Sequence, residues 1–158
     1  SYNPYYQVIV WDPENKEILG GYRFLPGNEW QYDVDGQPNL ATRHLFKFSD
    51  KFIREYAPYT IELGRSFVTF EHQSTRAMTK GLYALDNLWD GLGALIVLIP
   101  ELKYFFGKMT MYPSFDVKAR DMILHFLSKH FGDREHLVYA EHPVELLTPQ
   151  AELDALFN

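Results

Sequence analysis

The sequence predicts an α/β or α+β sandwich, with strands interleaved with helices around one sheet, and three observations carry that expectation. Residues 60–70 alternate apolar with polar side chains and are rich in β-branched and aromatic types, the pattern of a strand. A polar turn over residues 71–76 follows, and a helix opens near Ala77, so its free amides face whatever sits at the end of the strand, as at an anion site. With 158 residues, 46% of them apolar and 16% aromatic, the chain can build one sizeable core. No repeat, low-complexity tract or linker divides it, and the expectation is a single domain over residues 1–158.

Taken in order, residues 6–11 read as a first strand, closed by the turn formers Asp12, Pro13, Glu14 and Asn15. Residues 17–24 return as its hairpin partner, Gly20 and Gly21 permitting a bulge or a close backbone approach. Residues 26–43 form a long polar loop of the kind that is usually functional or mobile. Ser49 caps a short helix over residues 50–56 that Pro58 ends. In the central strand, alternation places Glu62, Gly64, Ser66 and Val68 on one face and Ile61, Leu63, Arg65, Phe67 and Thr69 on the other, unless a bulge intervenes. Two helical pieces follow, one marked by Met78, Leu82 and Leu85, the other running from Leu88 to Ile99, with Gly91 and Gly93 marking a kink or a close contact. Residues 103–111 read as a strand presenting Tyr104, Phe106, Lys108, Thr110 and Tyr112 on one face. Residues 116–131 form an amphipathic helix with Ala119, Met122, Ile123, Phe126 and Leu127 inward and Gly132 beyond it. A short strand at 137–139 and a helix opened by Thr148 and Pro149 complete the chain.

Composition excludes several functions. The net charge of −6 argues against a general nucleic-acid binder. The absence of cysteine removes disulfides, thiolate metal sites and cysteine acyl intermediates. The longest apolar run, residues 92–99, is too short to span a bilayer, and the N-terminus lacks the pattern of a signal peptide, so a cytoplasmic protein is expected. His125 and His130 lie five apart and miss the one-face spacing of a metal pair, and no metal site is expected. Gly64, Arg65 and Ser66 begin a nucleophile elbow, but Val68 stands where its second glycine belongs. Tyr5, Tyr6, Trp30 and Tyr32 either line an acyl tunnel or belong to the core.

Two stretches together carry a resemblance. Glu62-Leu63-Gly64-Arg65-Ser66-Phe67-Val68 with its turn and helix, then Tyr104-Phe105-Phe106-Gly107-Lys108-Met109-Thr110 and a helix after Pro113, resembles the hemolysin-like, ornithine-lipid-synthase branch of the GNAT acyltransferases. The Glu-x-x-Arg-x-Phe-Val core is also similar to acyl-homoserine-lactone synthases. The resemblance covers roughly residues 6–131 and implies a GNAT-like, mixed and mostly antiparallel sheet flanked by helices and splayed between the strands of Glu62 and Tyr104. It implies an N-acyltransferase moving a fatty acyl or 3-hydroxyacyl group from acyl carrier protein or acyl-CoA to the amine of an amino acid, with no tightly bound cofactor and with peripheral membrane association open. The family's helices that precede the first strand are not expected within this chain. The pyrophosphate loop of the superfamily is represented by Gln73, Ser74, Thr75, Arg76 and Ala77, which keep the leading Gln but neither glycine. That favours the single phosphate of a carrier protein's phosphopantetheine, met by Arg76, Lys80 or the helix end.

Attack of an amine on a thioester needs a base, a donor to the carbonyl oxygen and a proton for the leaving thiolate. Glu62 is the candidate base, directly or through a water, with a structural ion pair to Arg65 or Arg23 as its alternative. Arg65 either fixes the donor phosphate or holds Glu62. The backbone amides of Phe67, Val68 and Thr69 are candidates to polarise the thioester, and Tyr112, placed at the end of the facing strand, to protonate the thiolate. Two other readings stay open: a homoserine-lactone synthase, which would need S-adenosylmethionine, and a non-catalytic acyl-carrier or lipid-binding module.

Overall fold

The computed structural model describes residues 4–69 and 78–157, with residues 78–85 as backbone only. Its sheet is built around β4 (Thr60–Val68), which pairs antiparallel with β2 (Glu17–Pro26) and parallel with β5 (Tyr104–Gly107). β1 (Tyr6–Asp12) pairs antiparallel with β2 at the edge, giving the order β1-β2-β4-β5. Asp12 closes the β1–β2 turn by accepting the Glu14 and Asn15 amides. A separate antiparallel pair joins β3 (Phe46–Phe48), which the sequence reading left unassigned, to β6 (Val138–Ala140). The fold class read from the sequence, α+β with a mostly antiparallel sheet flanked by helices, is the one observed.

The sheet has a different cover on each face. On one lies α1 (Met78–Leu98), whose Leu88 and Leu95 pack with Tyr22, Phe24 and Ile61 over Val8, Leu63 and Val68. On the other, the segment after β2 folds back and buries Leu25 against Trp30, Leu40, Phe48 and Phe52, with Phe106 of β5 at the margin. Each fully buried aliphatic or aromatic side chain contributes about 1.5–3 kcal/mol. The predicted short helix is a π-helical turn, Phe52–Tyr56, and Ser49 caps it by accepting the Phe52 amide at 3.1 Å.

A bulge decides which face each side chain of β4 meets. Gly64 pairs with Arg23 and Phe67 with Gly21, so Arg65 and Ser66 together stand opposite Tyr22. Arg65 takes the left-handed backbone conformation, φ 54°, that such a bulge requires. Beyond it the strict alternation fails. Val68 joins Ile61 and Leu63 under α1, and Phe67 crosses to the face of Glu62 and Gly64, where its ring comes within 3.2 Å of the position a Gly21 Cβ would occupy. Period-two reading of the sequence cannot see this, because one inserted residue inverts the parity of everything after it.

Other expectations are corrected. The two predicted helical pieces are one helix of 21 residues. Gly91 marks close packing, since a Cβ there would lie 2.9 Å from the Tyr22 hydroxyl, whereas Gly93 faces open space. β5 has four residues instead of the predicted nine, so Lys108, Thr110 and Tyr112 are not on a strand. α2 (Val117–Phe131) starts as expected, Asp116 accepting the Ala119 amide at 2.8 Å, but turns a different face inward. Asp121 and His125 are its buried residues, beside Leu153 of α3 (Gln150–Leu156), while Ile123, Phe126 and Leu127 are exposed. Asp121 accordingly accepts from Arg120 and from the Leu147 and Thr148 amides. Periodicity tells which residues share a face, and only tertiary contacts tell which face is covered.

Candidate active site

β4 and β5 are paired from Thr60 to Leu63 against Tyr104 to Gly107, and there β5 ends while β4 runs on past it to Val68. Neither carries a side chain at the divide that could close the gap, since Gly64 and Gly107 stand there. The result is a cleft of about 250 Å³. Leu63, Gly64, Arg65 and Ser66 form one wall, Gly107 and Lys108 the other, and Tyr22, Leu88, Trp89 and Leu92 line it from β2 and α1. The bulge takes Arg65 and Ser66, both of which line the cleft, out of the regular β2–β4 ladder. The Tyr22 hydroxyl is buried and has no hydrogen-bond partner among the described residues, and burial pushes its pKa up.

On the opposite face of the same strand is a polar cluster. Glu62, 2% exposed, accepts from the Thr42 hydroxyl at 2.9 Å and from the Tyr5 hydroxyl. Tyr5 in turn accepts the Ala41 amide at 3.0 Å, and the Arg23 guanidinium lies over its ring at 4.4 Å. Burial, reinforced by the bond to Glu62, pushes the Tyr5 phenol up to about 12, so it stays a proton donor to the carboxylate. The cluster joins three regions far apart in sequence: the residue before β1, the long loop, and β4.

The parallel pair that stops at Gly107, the bulge on the β2 side of β4 and the helix that follows β4 agree with one further finding: a family model described as the acetyltransferase (GNAT) domain matches residues 2–82, half of the chain. The chain belongs to the GNAT acetyltransferase family. Two curated proteins named glycine N(alpha)-acyltransferase are similar to it over 155 residues, 98% of the chain: one from Phocaeicola vulgatus at 63% identity, covering 48% of that protein, and one from Bacteroides thetaiotaomicron at 64%, covering 46%. The chain therefore spans about half the length of these relatives. No solved structure matches it significantly.

Within this GNAT domain the predicted residues fall into separate groups. Glu62 and Arg65 lie either side of Gly64, but Arg65 is exposed, lines the cleft and makes no ion pair with Glu62, and neither does Arg23. The alternative of a structural ion pair is thus replaced by hydroxyl bonds. The cleft wall is Leu63–Ser66 in place of the predicted 67–69: Phe67 faces away, Val68 packs under α1, and the Thr69 amide already donates to the Leu19 carbonyl at 2.9 Å. Tyr112 is 62% exposed, its ring against Phe115 and not in the cleft lining. Gln73, Ser74, Thr75, Arg76 and Ala77 lie outside the described residues, and Lys80 is on the part of α1 described as backbone only.

Sequence reasoning did not place Tyr22, Trp89 or Lys108 at the cleft, nor Tyr5 and Thr42 on Glu62. The signal for Tyr22 was present in Gly20 and Gly21, which let β2 come close: a Cβ on Gly20 would lie 2.7 Å from the Phe67 carbonyl oxygen. Thr42 had none, since a threonine in a long loop looks the same whether or not it reaches a carboxylate 20 positions on. The described residues hold no cluster of three His, Asp or Glu able to bind a metal ion. None of the described helices is long and apolar enough to cross a membrane.

Proposed function

We propose that the protein is an N-acyltransferase that moves a fatty acyl or 3-hydroxyacyl group from a thioester, on coenzyme A or acyl carrier protein, to the amine of glycine or a similarly small amino acid. The observation that carries this reading is the cleft between β4 and β5, open beside the bulge in a GNAT domain closely similar to proteins named for glycine acylation. Sites for whole drug-sized ligands run to about 300–1,000 Å³. At about 250 Å³ the cleft suits a pantetheine arm, leaving any nucleotide outside it. Arg65 and Lys108 on its two walls supply positive charge for the donor's phosphate.

The chemistry distributes over the chain's own residues. The amine attacks the thioester carbon at the level of Gly64, where no side chain separates the cleft from the face of Glu62. Bulge amides polarise the carbonyl oxygen, a donor of this kind contributing about 3 kcal/mol. The ammonium proton passes to Glu62 through a water or through the hydroxyls of Tyr5 or Thr42, because the carboxylate is buried beneath them. As the carbon–sulfur bond breaks, the thiolate takes a proton from Tyr22, which replaces Tyr112 in that role. We assign the protein to the hemolysin-like branch, and to the cytoplasm where such thioesters are found.

One observation favours a second reading, a non-catalytic binding module: both Glu62 oxygens already hold hydroxyls, as in a structural tie. The test is to incubate the purified protein with plain and 3-hydroxyacyl thioesters of coenzyme A and carrier protein against a panel of amino acids, reading products by mass spectrometry. An acyl-glycine is expected. Donor binding with no amide from any pair would establish the binding module instead.

A further inference from the structure

Arg23 is an unspent cation. Its side chain is partly buried, its Nε is shut off from solvent without a hydrogen-bond partner, and the guanidinium makes no hydrogen bond or ion pair with any described residue. What holds it is the Tyr5 ring, whose centroid lies 4.4 Å from the guanidinium carbon. A cation–π contact satisfies none of the guanidinium's N–H donors, and the two terminal nitrogens remain for a carboxylate. Tyr5 is itself fixed at its hydroxyl by Glu62 and the Ala41 amide, so the cation rests on a rigid platform.

Its position matters as much as its valence. Arg23 pairs with Gly64, and Glu62 pairs with Leu25, so Arg23 and Glu62 are diagonal neighbours on one sheet face. Diagonal neighbours stand roughly 7–8 Å apart at the backbone. A cation and an anion so placed, yet not paired with each other, match an amino acid in reverse, with its carboxylate on Arg23 and its amine toward the Tyr5 and Thr42 hydroxyls that cover Glu62. The donor cleft lies under α1, and Arg23 is on the other face, with Gly64 between: a Cβ there would lie 3.4 Å from the Arg23 Nε. An anion held by Arg23 therefore belongs to the acceptor and not to the phosphate of the donor.

We propose that Arg23 is the carboxylate-binding residue of an acceptor subsite on the face opposite α1, and that it restricts the acceptors to small amino acids with a free carboxylate. This rests on the N-acyltransferase reading. In the reaction a nitrogen–carbon bond forms and a carbon–sulfur bond breaks while the acceptor carboxylate is unchanged, so Arg23 acts on binding more than on turnover.

The experiment compares glycine with glycinamide as acceptors, at saturating acyl thioester, in the wild type, Arg23→Met and Arg23→Lys. The wild type is expected to favour glycine about 100-fold in kcat/KM. Arg23→Met raises the KM for glycine by a similar factor, leaves the KM for the thioester and the glycinamide rate unchanged, and so abolishes the preference; Arg23→Lys restores part of it. Equal use of glycine and glycinamide by the wild type overturns the proposal with no variant needed, and so does an Arg23→Met enzyme slowed equally toward both. A wild type that forms no amide with any amine sinks the acyltransferase reading as well, whereas amide formation with an unaltered glycine KM in Arg23→Met sinks the Arg23 assignment alone.

Discussion

Glu62→Gln separates the chemical role of this residue from its structural one. The substitution keeps the shape but turns one acceptor oxygen into an NH2 group, which cannot accept from a hydroxyl. The Tyr5 hydroxyl already accepts the Ala41 amide and must go on donating, so the remaining oxygen of the new side chain has to serve it, and the Thr42 hydroxyl rotates to accept from the NH2 group. Both bonds survive and lose their charge assistance, worth about 1 kcal/mol each, while burial of a neutral group returns part of that. A net loss of about 1–2 kcal/mol follows. For a domain of this size each kcal/mol shifts Tm by about 2–4 °C, so the variant should melt about 2–8 °C lower. Loss of a general base costs about 10²–10⁴ in rate. The assay is kcat for acyl-glycine formation well below both melting temperatures, alongside the thermal melt. A variant that melts lower yet keeps kcat within about threefold, less than 1 kcal/mol of barrier, would refute the proton route through Glu62.

Tyr22→Phe removes a buried hydroxyl that has no partner among the described residues, so the variant should be at least as stable as the wild type in thermal melts. Its rate with an alkyl thioester should fall about 100-fold and recover with an aryl thioester, whose thiolate leaves without protonation; equal slowing of both donors would exclude Tyr22 as the proton donor. Asp121 governs an acid response: burial pushes its carboxyl up, but the Arg120 guanidinium and the Leu147 and Thr148 amides outweigh that and hold it down at about 2. Because the folded value lies below the ordinary one of about 3.9, its contribution is complete above roughly pH 4 and is lost as pH falls toward 2. Urea melts of the wild type should weaken across that window and those of Asp121→Asn should weaken less, and parallel curves would show that Asp121 does not carry the effect. The preference for glycine over glycinamide assigned to Arg23 completes the set.

Local chemistry was legible in the chain. β1, β2, β4 and α2 follow from alternation, turn residues and an N-cap, all properties of neighbours in sequence. The Glu62 to Ser66 core was marked as the centre by two charges in an otherwise apolar strand, and the glycines at 20, 21 and 91 by positions where only a missing Cβ fits. The structure alone supplied what depends on parity and on long-range partners. The bulge at Arg65 sends Phe67 and Val68 to faces opposite those of strict alternation. The early end of β5 leaves Tyr112 in solvent and opens the cleft. Tyr5 and Thr42 reach Glu62 across 57 and 20 positions. A side chain's own preferences are written beside it in the sequence, but the partner that satisfies a buried charge is chosen by how distant segments pack, and no local pattern encodes that choice.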